Sequence, residues 1–208
     1  MREYRTLQVC STRTHSHSRP LTSCQTIMSR INLIEESQHP ELAPLITKIK
    51  AERGGKILNL YRTLAHSPGV CEGWLHLFTE LRQKSKLDGL SRELAIMRVA
   101  VVNGADYEFA QHVPFALKEG MTQQQIDALP AWTVSDLFTP KMRAVLAYTD
   151  SMTREIHVPD AIFAAVRKHF DDREMVELTA TIGGYNLVSR FLEAMQIPHE
   201  SGPAVAHN

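Results

Sequence analysis

Cysteine is scarce in this chain of 208 residues, which contains three: Cys10, Cys24 and Cys71. An odd number at such wide spacing matches neither a disulfide framework nor the paired ligands of a zinc site. We therefore expect a protein that works in a reducing compartment, with the cytoplasm as its location, and that holds no metal.

Excess charge of either sign is also missing, because 23 lysines and arginines balance 23 aspartates and glutamates. No general electrostatic field would therefore attract nucleic acid or an anionic membrane. No apolar run approaches the roughly 18 residues that a membrane-spanning helix requires. These absences leave a small, mostly apolar molecule as the expected binding partner.

Residues 1–27 lack the apolar segment of a secretory signal and contain four arginines against a single acid. We expect this stretch to be a disordered tail, or to precede a true start at Met28, because it offers almost no apolar surface to bury. Residues 28–200 should form one helical domain. Residues 201–208 should be a flexible C-terminus.

Strand patterns are missing as well, since after Pro40 the apolar residues recur at intervals of three or four. This periodicity predicts an all-α fold. Within the last helix, Gly183 and Gly184 stand where alanine would be more stable, which indicates close backbone packing. The predicted helices lie at about 42–49, 57–64, 70–81, 91–103, 106–119, 122–129, 140–152, 159–170 and 172–195.

Two local signals mark helix starts. Ser91 is a good N-cap for its helix, and Thr122 with Gln125 three residues later has the pattern of a capping box. Segments 91–120 and 173–197 each place an Arg-Glu pair before an apolar run, with a glycine about ten residues on. This similarity is consistent with a degenerate internal duplication.

The candidate chemistry lies in segment 90–129. Glu108 and His112 are four residues apart on one predicted helix, so they share a face and can meet. A carboxylate beside an imidazole favours the protonated ring and orients it, as general acid–base catalysis requires. Glu93, on the preceding helix, could bring a second carboxylate to the same pocket. The same spacing is common on solvated helix faces, so a purely structural pair stays open.

The pattern around these residues resembles the signature of carboxymuconolactone decarboxylase-like (AhpD-like) proteins. It consists of Arg92-Glu93-Leu94, then Tyr107-Glu108-Phe109, His112, Ala116 and Gly120. The likeness is strongest over 89–129. It implies an AhpD-like helical bundle that assembles as a homotrimer or as a hexamer built from trimers.

The sequence departs from both known chemistries of that superfamily. Its alkylhydroperoxidase branch has a Cys-x-x-Cys pair before the histidine, where this chain has Ala105 and Glu108. Without these thiols, peroxidase activity is not expected. Its decarboxylase branch has a further histidine downstream, which segment 128–133 lacks, so carboxymuconolactone itself is doubtful as the substrate.

We therefore expect a cofactor-independent lyase or isomerase that acts on a small carbonyl or lactone acid. In this hypothesis His112 is the general acid, Glu108 orients it, and Glu93 is a second acid–base group. Such a site also needs a donor for the enolate oxygen that develops during the reaction.

Three further residues are candidates for binding the substrate. Tyr107 could line the pocket, and Arg98 or Arg190 could bind a substrate carboxylate through two parallel hydrogen bonds. Arginines at such positions are more often surface or ion-pair residues.

Two other functions stay open. One is an AhpD-like, thiol-dependent antioxidant protein, for which Cys71 has no resolving partner nearby. The other is a non-catalytic helical module for assembly. Free hydrogen-bonding capacity at the Glu and His side chains in a pocket would favour catalysis, whereas mutual satisfaction in a closed core would favour the structural role.

Overall fold

The computed structural model describes residues 29–200, and within this range it contains α-helices and no strand. The predicted all-α class is confirmed. The predicted tail at 1–27 and the predicted flexible C-terminus at 201–208 lie outside the described residues. The helices are α1 (Ala43–Glu52), α2 (Asn59–Leu64), α3 (Pro68–Thr79), α4 (Gly89–Asn103), α5 (Asp106–Lys118), α6 (Gln123–Ala128), α7 (Pro140–Arg154), α8 (Asp160–Arg167) and α9 (Asp172–Met195).

Helix α4 is the centre of the molecule and contacts α5, α7 and α9. It begins earlier than the sequence predicts, because the Asp88 carboxylate accepts a hydrogen bond from the Ser91 amide at 2.8 Å. Asp88 is therefore the N-cap, and Ser91 is a buried residue of the first turn. At the other end Gly104 adopts a left-handed conformation with φ of 64°. This conformation, which costs glycine little, ends the helix and lets α5 fold back onto it.

The predicted capping box at Thr122 is present, since Thr122 and Gln125 exchange both hydrogen bonds. The two segments compared for duplication fold differently: a glycine ends α4, whereas Gly183 and Gly184 lie inside the continuous helix α9. Only Gly184 is closely packed, because a Cβ there would lie 3.3 Å from the Phe78 ring, while one on Gly183 would meet open space.

A π-helical turn over Glu80–Lys84 continues α3. Such turns insert an extra residue into the helical repeat and are frequent at functional sites. Arg82 lies in this turn and lines the wall of a cavity. Among the helices of residues 29–200, none is both long and apolar enough to cross a membrane.

Candidate functional site

A cavity of about 480 Å³ lies between α3 with its π-helical turn, α4, α5 and α9. The structure brings four of the sequence-predicted residues to its wall, which are Glu93, Tyr107, Glu108 and His112. The volume suits a small organic ligand. The apolar part of the wall includes Leu58, Leu60, Trp74, Phe78, Phe115, Val188 and Leu192.

His112 is paired with Glu93 rather than with Glu108. Its ring nitrogen Nδ1 lies 2.7 Å from Glu93 Oε2, and the two residues are 6% and 2% exposed. The i, i+4 spacing allows Glu108 to reach the histidine, but the antiparallel packing of α5 on α4 offers the ring a closer carboxylate. The expectation that Glu108 orients His112 is therefore wrong, and Glu93 takes that role.

The electrostatics of this pair favour a neutral histidine beside a carboxylate. Burial lowers the pKa of His112 and, together with the positive charges of Arg82 and Arg92, outweighs the opposite effect of the bonded Glu93 carboxylate. Burial also acts to raise the pKa of Glu93, but the hydrogen bond with His112 and the positive charges of Arg92 and Arg82 bring it below its ordinary value. A neutral ring then donates Nδ1–H to the carboxylate, and Nε2 carries a lone pair. Within residues 29–200, Nε2 has no hydrogen-bond partner.

Glu108 is in the opposite protonation state from Glu93. It is 2% exposed, and burial raises its pKa to about 8, an effect that the hydrogen bond with Ser189 only partly offsets. At neutral pH the group is therefore mainly a carboxylic acid. Its Oε1 is buried and has no hydrogen-bond partner in the described part of the chain. Buried polar atoms are rarely left this way, which marks this carboxyl group as a candidate functional group.

The contacts of Ser189 are compatible with a protonated Glu108. Ser189 Oγ lies 2.6 Å from Glu108 Oε2 and 3.0 Å from the Tyr185 carbonyl oxygen. A hydroxyl has one hydrogen and cannot donate fully to both oxygens. If Glu108 carries a proton on Oε2, it can donate to Ser189, and Ser189 can donate to Tyr185. The neutral acid therefore satisfies both contacts.

Tyr107 lines the cavity with its ring, but its hydroxyl is already bound. The hydroxyl donates to Glu200 Oε1 at 2.6 Å, and the same oxygen accepts a hydrogen bond from the backbone N–H of Asn59 at 2.8 Å. Burial, reinforced by Glu200, raises the pKa of the phenol. Tyr107 thus shapes the wall and anchors the chain near its last described residue, rather than offering a reactive hydroxyl.

The two arginines proposed for substrate binding are not on the cavity wall. Arg98 is buried and binds both carboxylate oxygens of Asp150, at 2.5 and 2.8 Å, and the Leu129 carbonyl oxygen at 2.8 Å. Arg190 is exposed and donates to Asn186 on its own helix. Both expectations are wrong, because helical position places these side chains on other faces of α4 and α9.

Sequence reasoning missed the arginines that do line the cavity, which are Arg53, Arg82 and Arg92. Arg92 precedes Glu93 directly and bonds to it at 3.3 Å, so its place in the motif was the available signal. Arg82 gave no such signal. A regular 3.6-residue repeat cannot locate a side chain that a π-helical turn displaces.

Cys71 is fully buried and is absent from the cavity wall. Burial, with a smaller contribution from Glu72, raises the pKa of its thiol to about 11. A thiol that stays protonated at neutral pH is a poor nucleophile. Of the three cysteines it is the one within the described range.

Comparisons with known proteins give a consistent picture. A model of the carboxymuconolactone decarboxylase family matches residues 68–151. The uncharacterized protein YdfG of Bacillus subtilis (strain 168) is 32% identical over 115 residues, which are 54% of this chain and 78% of YdfG. A crystal structure from Agrobacterium tumefaciens, of a protein of unknown function proposed to be the antioxidant defence protein AhpD, has a TM-score of 0.63 and 27% identity, covering 67% of this chain and 97% of its own.

A more distant structure covers more of the chain. A cysteine-to-alanine variant of the debrominase Bmp8 in complex with 2,3,4-tribromopyrrole has a TM-score of 0.68 at 18% identity. It covers 85% of this chain and 95% of its own. At this level of identity the likeness concerns the fold alone.

Proposed function

This chain belongs to the carboxymuconolactone decarboxylase family, and from that premise we propose that it is a cofactor-independent enzyme of the lyase or isomerase type, acting on a small carbonyl or lactone acid. One observation carries the proposal. The same cavity holds a neutral histidine and a protonated glutamic acid, whose environments move their pKa values in opposite directions. Such pairs are typical of general acid–base sites.

The lowered pKa of His112 supports a role opposite to the one first expected. As a neutral ring it acts as the base, with Nε2 accepting a proton from the carbon next to a substrate carbonyl. The Glu93 carboxylate, 2.7 Å from Nδ1, stabilises the imidazolium that forms. Glu108 is the acid. With substrate bound, the carboxyl proton is carried on Oε1, which has no other partner within residues 29–200, and passes from there to the enolate, while Ser189 donates to Oε2.

Both reaction types balance: the isomerisation uses His112 as base and Glu108 as acid, and the decarboxylation uses Glu108 as the acid. In an isomerisation, His112 removes one carbon-bound proton and Glu108 delivers one to another carbon, after which a proton returns from the imidazolium to the Glu108 carboxylate. In a decarboxylation, the electrons of the breaking carbon–carbon bond form a dienolate as carbon dioxide leaves. Glu108 then protonates carbon, and water restores its proton.

The other two functions have less support. A thiol-dependent peroxidase needs an accessible thiolate, and the buried Cys71 thiol is off the cavity wall. A purely structural cluster would satisfy its own hydrogen bonds. Among residues 29–200, Glu108 Oε1 and His112 Nε2 have no hydrogen-bond partner, and both residues line the cavity, which favours a ligand-binding role.

The test is turnover by purified protein of a panel of small keto acids and lactone acids in deuterated water. Deuterium uptake at carbon is followed by NMR, and released carbon dioxide is assayed in parallel. His112→Ala should lower turnover by roughly 100- to 10,000-fold, the range that general acid–base groups supply. Glu108→Gln should also be slow, and the double variant scarcely slower than the worse single one.

Gln111→Ala is the matched control, because Gln111 lies on the same helix and lines the same cavity but carries no titratable proton. It should change turnover by no more than a few-fold. The wild-type rate should also fall above a pH of about 8, where Glu108 ionises. This decrease should be absent from the pH–rate profile of Glu108→Gln. Full activity in a folded His112→Ala protein would end the acid–base proposal.

A further inference from the structure

Arg82 is a cation on the cavity wall that no acceptor within the described residues uses. It lies in the π-helical turn Glu80–Lys84 and is partly buried. Within residues 29–200, no hydrogen bond or ion pair joins it to an acceptor, whereas its neighbour Lys84 is paired with Glu80 at 2.6 Å. A guanidinium has five N–H donors. Those of Arg82 therefore remain available to a ligand.

The other two arginines of the wall are already engaged. Arg53 donates to the Tyr61 hydroxyl at 2.8 Å, to Thr79 at 3.0 Å and to the Leu75 carbonyl. Arg92 lies 3.3 Å from Glu93 and is paired with a second glutamate on the rim. Arg82 thus differs from both, because its orientation is set by an aromatic ring and not by an anion.

That ring is Phe115, which also contacts the catalytic histidine. The guanidinium carbon of Arg82 lies 5.0 Å from the ring centroid, a cation–π distance, and the His112 ring centroid lies 5.8 Å from the same ring. The charge of Arg82 acts on both His112 and Glu93. An anion bound to Arg82 would therefore lie within the electrostatic reach of the proposed base.

The charge of the whole wall also favours an anion. Because Glu108 is neutral at physiological pH, the wall has three charged glutamates, Glu52, Glu93 and Glu119, against five cationic residues. A cavity with a net positive wall and low-dielectric sides concentrates small anions. The five cationic residues of the wall are Arg53, Lys56, Arg82, Arg92 and Lys118.

We propose that Arg82 is the carboxylate anchor of the site, which binds the acid group of the substrate through two parallel hydrogen bonds and presents its carbonyl end to His112 and Glu108. The substrate class is then a small monocarboxylate with an apolar body that packs on Trp74 and Phe78. A planar guanidinium fork matches a carboxylate better than an ammonium does. The inference deepens the proposed acid–base function and rests on it for the orientation of the ligand.

Binding is tested without turnover, by calorimetric titration with two acids and their primary amides. The probes are levulinate, a keto acid, and paraconate, a lactone acid. Wild type should bind at least one acid about 10- to 100-fold more tightly than its amide, the range that a charge-assisted contact supplies. Arg82→Met should lose that preference while binding the amide as before. Arg82→Lys should retain part of it.

Lys84→Met is the matched control, since it removes a cation from the same turn without touching the cavity wall. It should keep the full preference. Equal binding of acid and amide by wild type, binding of neither acid, or an unchanged preference in folded Arg82→Met would overturn the anchor. If the preference depends on Arg82 but no acid is turned over, the acid–base proposal fails and the carboxylate site stands.

Discussion

Helix α4 carries two buried charged clusters that differ in how completely they are bonded. On one side Arg98 donates to both oxygens of Asp150 and to the Leu129 carbonyl, while the Trp132 indole donates to Asp150 at 3.0 Å. Every charged group of this cluster is paired, and none of its members lines the cavity. Its role is to join α4, α7 and the turn after α6.

On the other side Glu93 bonds to His112, and Glu108 bonds to Ser189, but Glu108 Oε1 and His112 Nε2 have no partner in the described part of the chain. This cluster lies on the cavity wall. Both clusters contain buried charge on one helix, so burial alone does not identify a functional site. Incomplete hydrogen bonding beside a cavity does distinguish them, and this is the signal that marks the second cluster as the candidate functional site.

The largest difference in stability between the two clusters is expected for the substitution Arg98→Met in the first cluster. It leaves the partly buried Asp150 carboxylate without its main partner, which costs about 3 kcal/mol of folding free energy, the lower end of the range for breaking a buried ion pair. Urea unfolding followed by circular dichroism measures the loss. Arg190→Met is the control, because Arg190 is exposed and bonds only within its own helix. It should change stability by no more than about 0.5 kcal/mol. A loss of less than about 1 kcal/mol of folding free energy in Arg98→Met would show that Asp150 does not depend on Arg98 as its partner.

The second cluster, which contains Glu93, His112 and Glu108, should instead make the free energy of unfolding depend on pH. The Glu108 pKa is about 8 in the folded protein and near 4.5 in an unfolded chain, so between these values the folded state holds one more proton. Stability then falls as pH rises, by about 1.4 kcal/mol per pH unit, until the folded group ionises too. Glu108→Gln should remove this slope.

The comparison of wild type with Glu108→Gln isolates Glu108, because the contributions of His112 and other groups are common to both proteins. Unfolding in urea at several values between about pH 5 and 8 provides the data. Parallel curves for the two proteins would mean that Glu108 is ionised in the fold, and both its proposed role as acid and the contrast between the clusters would be lost.

Sequence patterns located much of this architecture. The bounds of α9 were predictable because Asp171 caps its start and the apolar pattern ends at Met195, and the segment with Glu93 and His112 was identified correctly as a pair of helices. The partner of His112 was not predictable. A spacing of four residues says that Glu108 can reach the ring, but the orientation of α5 on α4 decides which carboxylate does.

The location of Arg82 was hidden for a different reason. Its position depends on a single extra residue in the π-helical turn after α3, and no repeat of the sequence encodes that shift. Arg98 failed as a substrate ligand because its acceptor, Asp150, lies 52 residues away. Pairings over such distances follow from tertiary packing, which a single sequence does not specify.

The smallest expected difference concerns single hydrogen bonds, one from each cluster, measured by double-mutant cycles. Trp132→Phe with Asp150→Asn isolates an indole bond to a carboxylate, for which we expect a coupling of about 1.5–3 kcal/mol. Ser189→Ala with Glu108→Gln isolates a hydroxyl bond to a neutral acid, for which we expect about 0.5–1.5 kcal/mol. The second value is smaller because no charge takes part and because the adjoining cavity can admit water to replace the lost partner. Urea unfolding at neutral pH gives both coupling energies. Equal coupling energies would mean that Glu108 is ionised, and the two clusters would then not differ in this respect.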